Sequence, residues 1–131
     1  MSVPLEKPES TTQKNNGVPI FLDSCLKEDY PTENRWDYAV FIDIDAVLKT
    51  AFIEIHPANE SEVDEVIIKA RWMKQWIMDN QIRVITENRK FFWVSSGNVK
   101  ITKNSQKIRL LHKQGIEGPQ EHLVVDKEMR F

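Results

Sequence analysis

Two apolar runs separated by only a few turn residues, with a long helical pattern behind them, restrict this chain more than anything else in it. In the first run Tyr38, Val40 and Ile42 alternate with Ala39, Phe41 and Asp43. Both faces are largely apolar, so the run reads as an interior strand. The second run, Val47–His56, puts Ala51, Ile53 and Ile55 on one face and Phe52, Glu54 and His56 on the other. A tight turn over Asp43–Ala46 leaves no room for a crossover, so the two strands form an antiparallel hairpin.

Pro57 stops the second strand. Asn59 and Glu62 have the spacing of a capping box, in which the Asn side chain accepts from the helix start and the Glu reaches back. The spacing then predicts a helix from about Ser61 to Asp79. Val63, Val66, Ile67, Ala70, Met73 and Ile77 make one broad apolar face. Ile68, Trp72 and Trp76 make a second stripe, and Asp64, Arg71, Gln75 and Asp79 form the wetter surface between them. A helix apolar on two sides packs on two sides, so that stripe meets either another element of the domain or a partner subunit.

Elsewhere the signals are shorter. Residues 1–17 are polar, with Pro4, Pro8 and Gly17, and read as a flexible tail. Ile20–Tyr30 has helical spacing in Phe21, Leu22, Cys25 and Leu26, and Pro31 ends it. FFWVSS, closed by Gly97, is a strand, and NVKIT a further one. SQKIRLLHKQG is a short helix stopped by Gly115, and HLVV a last strand. The order is helix, strand, strand, long helix, strand, strand, helix, strand. The class is α/β with a mixed sheet, as one domain over residues 18–131.

The length of 131 residues suits one domain that folds without disulfide or metal support. Cys25 is the one cysteine, which excludes an internal disulfide. The N-terminal residues have no apolar signal region, and no apolar run approaches the ~20 residues of a membrane span. The expectation is a cytoplasmic protein with no membrane association.

Net charge is −2, but its distribution is uneven. Residues 1–65 hold 5 Lys/Arg against 14 Asp/Glu, whereas residues 66–114 hold 11 against 2. Either one face binds anions, nucleic acid among them, through the basic stretch 69–113, or the two segments interleave and pair.

The candidate chemistry lies on the hairpin. Asp37 opens the first strand, Glu54 lies late in the second, and His56 follows on the same face. Pairing about the turn brings position 37 opposite 52 or 54. Two adjacent carboxylates are costly without a cation between them. An oxygen-rich, partly hydrated pair of this kind suits Mg²⁺, and metal-activated water attacks phosphodiesters.

The stretch RWDYAVFIDIDAVLKTAFIEIH resembles the signature segment of the PD-(D/E)XK nuclease superfamily, which has the restriction-endonuclease-like fold. That signature places an Asp at a strand start, then a turn, a hydrophobic strand with Glu-X-Lys, and a helix. The resemblance covers roughly residues 20–98. It implies a metal-dependent phosphodiesterase ancestry, with Asp37 and Glu54 as catalytic metal ligands. The chain departs from the signature at two positions. His56 stands where the family has lysine, and Trp36 where it often has proline. Lys69 is a candidate for a lysine migrated to the helix. On the helical wheel it faces either the polar edge of the sheet or solvent, and solvent is the expectation here.

Simpler roles are open for the same residues. Asp37 can pair with Arg35, His56 can cap a strand end, Asp43 and Asp45 can serve the turn, and Trp72, Trp76 and Trp93 can be core. Buried Glu54 requires a partner on any reading. Three functions follow: an inactive nuclease-fold module that binds a partner, for example as a homodimer through Ile68, Trp72 and Trp76; a Mg²⁺-dependent nuclease using Asp37 and Glu54 with His56 or Lys69; or an unrelated α+β domain. His112, His122 and Cys25 lack zinc spacing. No glycine-rich phosphate loop or nucleophile elbow is present.

Overall fold

The computed structural model describes residues 18–20, 36–80 and 87–130. The tail over residues 1–17, most of the helix expected at 20–30, Cys25 and Arg35 lie outside the described residues. Ile20 itself ends a strand.

The centre is a five-stranded mixed sheet in chain order β1 to β5. The strands are β1 (Val18–Ile20), β2 (Tyr38–Ile44), β3 (Val47–His56), β4 (Arg89–Ser95) and β5 (Ile116–Gln120). β1, β2 and β3 pair antiparallel, whereas β4 runs parallel to β3, and β5 parallel to β4. The change of direction follows from helix α1 (Val63–Asp79), which carries the chain back along the sheet so that β4 enters beside β3 from the same end.

The hairpin turn is tighter than the sequence suggested. Asp43 and Ile44 are still strand, and Ile44 pairs with Val47. Only Asp45 and Ala46 turn, with φ of 53° and 66°. Two residues at positive φ match the twist of the flanking strands. The register sets Tyr38 against Ile53, so Asp37 arrives beside Glu54.

The sheet is buried on both sides, as its apolar strands require. On one side Ala39, Phe52, Phe91 and Trp93 meet Val63, Val66, Ile67, Ala70, Met73 and Ile77 of α1, the same six residues whose spacing defined the broad face. Helix α2 (Gln106–Lys113) adds Ile108 and Leu111 to this layer. On the other side Tyr38, Val40, Ile42, Ile53, Phe92 and Val94 pack with Leu123, Val125 and Met129 from the C-terminal segment, which includes the short helix α3 (Val125–Glu128). Trp72 and Trp76 pack against the α1 layer, and Ile68 is exposed. The second stripe is thus largely met by the chain itself.

Three local expectations are corrected. NVKIT is not a strand: the Lys100 amide donates to Ala58 O at 2.8 Å and Ile101 turns into the core, but one such bond makes no ladder. HLVV is not a strand either, because Val125 begins α3. The last strand is instead Ile116–Gln120, whose Gly118-Pro119 pair reads as turn punctuation. It forms a strand because it lies at the sheet edge, where a missing amide donor is tolerated and an irregularity opposite Trp93 absorbs the break in pairing.

Candidate functional site

Asp37, Glu54, His56 and Lys69 converge at one end of the α1 face of the sheet. Glu54 is fully buried in the penultimate pair of positions of β3. Its Oε1 accepts from the Asp37 backbone amide at 3.1 Å. Its Oε2 accepts from Lys69 Nζ at 2.6 Å, and His56 Nδ1 lies 3.4 Å from the same oxygen. Asp37 Oδ2 accepts from the Ile55 amide at 2.7 Å, so the two acids clasp each other's strands reciprocally. This clasp continues the β2–β3 ladder one step past the last paired residues.

Lys69 corrects the expectation that it faces solvent. Its side chain is only 20% exposed. It sits between the α1 core stripe and the wetter face, and a lysine stem is long enough to lie along the helix and deliver its charge to the sheet. Burial opposes its charged form. The charge and hydrogen bond of Glu54, with smaller help from Asp37 and Glu65, outweigh that, and its pKa is raised.

Glu62 is the second correction. No side-chain cap forms at Asn59, and only the Glu62 backbone amide returns to Asn59 O, at 3.0 Å. The Glu62 carboxylate is spent elsewhere: His56 Nε2 lies 2.6 Å from its Oε1. The imidazole therefore bridges two carboxylates, one buried and one at the surface. Its pKa is raised, first by the hydrogen bond with Glu54, then, against the cost of burial, by Glu62. The indole of Trp93, buried beneath it, donates to His56 O at 3.0 Å.

The result is a chain of alternating charge, Glu62, His56, Glu54, Lys69, with Asp37 adjoining. Glu62 has the spacing of a helix cap and also stands six residues after His56. That spacing carries no meaning until Pro57 and the turn of 3₁₀ helix at Glu60–Glu62 fold the helix start back over the strand end.

A Mg²⁺ ion at Asp37 and Glu54 would have to displace contacts that Glu54 already makes. Both Glu54 oxygens are occupied, the carboxylate has no solvent access for a partly hydrated ion, and an ammonium already stands at Oε2. Among the described residues, no group of three His, Cys, Asp or Glu side chains is placed to hold a metal.

Among the described residues, several cations of the basic stretch are drawn into ion pairs. Lys69 serves Glu54, Lys107 meets Asp64 at 2.8 Å, and Lys90 lies 3.4 Å from Glu117. Arg71 and Lys74, from the middle of α1, lie near Arg89 at the start of β4. An open groove of about 820 Å³ is separate again and is lined by Val99, Ile101, Ile108, His112, Pro119 and His122 among others. Among the described residues, no helix is long and apolar enough to cross a membrane. No protein-family model, curated protein or solved structure matches the chain.

Proposed function

We propose that this chain is a binding module built on a nuclease-like core whose acidic site is closed by its own cations. The observation that carries this reading is the 2.6 Å contact between Lys69 Nζ and the fully buried Glu54. A cation built into the chain compensates the acid pair, so charge balance does not require Mg²⁺. Lys69 ties α1 to β3, and His56 ties the start of the helical region to the strand end, so these residues work as a structural clamp. The pairing of β2 with β3 and the closeness of Asp37 to Glu54 speak for a nuclease-like ancestry over an unrelated α+β domain, in which these acids would stand apart.

The Mg²⁺-dependent nuclease is the second reading. It is favoured by the convergence of two acids and a lysine at a strand end, the trio that phosphodiester hydrolysis uses. It requires Lys69 to yield Glu54 Oε2 to the metal. The test is incubation of pure protein with DNA and RNA in Mg²⁺ and in Mn²⁺, alongside Glu54→Gln. The module predicts background cleavage by both proteins and no rise in Tm on adding metal. Metal-dependent cleavage that Glu54→Gln abolishes would establish the nuclease instead. A homodimer through the α1 stripe retains only Ile68 as an exposed large apolar residue, and sedimentation of wild type beside Ile68→Glu tests it.

A further inference from the structure

Where the middle of α1 passes the start of β4, three cations gather, two of them at the ring of Phe91. Arg71 and Lys74 lie one turn apart on α1, and Arg89 opens β4 beside them. Lys74 Nζ is 5.2 Å and Arg89 Cζ 5.4 Å from the centroid of the Phe91 ring. Lys74 donates to Gln114 O at 2.6 Å, and Arg71 Nε reaches Gln114 Oε1 at 3.3 Å. Arg89 Nη1 is buried and has no hydrogen-bond partner. Among the described residues, every ion pair of a lysine or arginine with a carboxylate uses some other cation: Lys69, Lys90, Lys107 or Arg130.

Such a cluster is unfavourable as it stands. Burial and the nearby Arg89 and Arg71 hold the Lys74 pKa below its ordinary value, and burial lowers that of Arg89. A buried guanidinium donor without an acceptor costs more than an exposed one, because water cannot replace the missing bond. An anion with several acceptor oxygens would relieve the crowding of charge. It would accept charge-assisted bonds at the parts of Arg71, Lys74 and Arg89 that remain open to solvent and screen the three cations from one another.

We propose that Arg71, Lys74 and Arg89 form a binding site for a single phosphate group. Three cations ask for more than the one charge of a carboxylate, and phosphate supplies up to two charges with oxygens in several directions. The site stands whether or not Glu54 takes part in any hydrolysis, since it uses none of the side chains that hold Glu54.

The test is thermal unfolding of the full chain at constant ionic strength, with chloride replaced stepwise by inorganic phosphate, and separately with a mononucleotide or a short DNA duplex added. Wild type is expected to gain Tm with phosphate, since a ligand that binds only the folded state stabilises it. Arg89→Gln and Lys74→Gln are expected to bind about ten-fold more weakly or worse, and Lys90→Gln as well as wild type. Because Arg89 is half-buried and its replacement can weaken the fold, wild type is also followed by NMR, with shifts expected at the amides of residues 74, 89 and 114. Equal response of mononucleotide and duplex assigns a small phosphate ester, and tighter, salt-steep duplex binding assigns nucleic acid; both support the site. No gain over chloride, shifts spread evenly over the surface, or an undiminished response in both Gln variants would overturn it.

Discussion

Lys69 Nζ lies 2.6 Å from Glu54 Oε2, joining the second turn of the long helix to a strand carboxylate that is fully buried. Removing either partner alone leaves the other charge poorly compensated in a dry place. Glu54→Ala and Lys69→Met are each expected to cost about 3–5 kcal/mol. The double change to apolar residues is expected to cost clearly less than the two single losses together. Urea unfolding of the four proteins measures the coupling. Strictly additive losses would show that the contact contributes nothing of its own.

The His56 bridge makes stability depend on pH near neutrality. Its folded pKa is raised above the ordinary 6.5, chiefly by Glu54. A group raised on folding binds protons more readily in the native state. Its contribution is therefore complete below about 6.5 and is lost as pH rises through the higher folded value. Unfolding free energy measured from pH 5.5 to 9 should fall over that window in wild type. His56→Gln should flatten this part of the profile. A fall of equal size in His56→Gln would place the titrating group elsewhere.

Asp45 and Ala46 occupy the hairpin turn with φ of 53° and 66°. Alanine is strained there, whereas glycine is not. Ala46→Gly should stabilise the chain by about 1 kcal/mol, against the usual loss when glycine replaces alanine. Thermal unfolding decides the sign.

Gly118 has φ of 109°, and a Cβ there would lie 2.4 Å from the Trp93 carbonyl oxygen. Gly115 also has positive φ, but a Cβ there would meet only Lys74 Nζ, at an ordinary contact distance of 3.6 Å. Gly118→Ala should therefore destabilise by more than Gly115→Ala, the latter by about 1–2 kcal/mol. Denaturant midpoints of the two variants test the order.

The hairpin and the helix were legible because their signals are local. Two-residue alternation over Tyr38–Ile44 and Val47–His56 and the 3.6-residue spacing of Val63, Val66, Ile67, Ala70, Met73 and Ile77 identify both the elements and the faces they bury. Pairing through a short turn then leaves little choice of register, so the closeness of Asp37 and Glu54 follows from the chain's own order. The edge strand Ile116–Gln120 was not legible, because Gly118 and Pro119 oppose a strand locally and only the free edge beside β4 admits them.

By itself, then, the amino-acid sequence determined the mixed α/β class, the hairpin, the long helix and the pairing of two acids. Tertiary structure alone decided what those acids meet. A helical wheel gives the direction of the Lys69 stem but not where its end comes to rest, and Glu62 serves a helix start or a histidine equally well by spacing. Docking of α1 on the sheet settled both, because burial of Glu54 makes an uncompensated charge too costly and draws in the cations within reach.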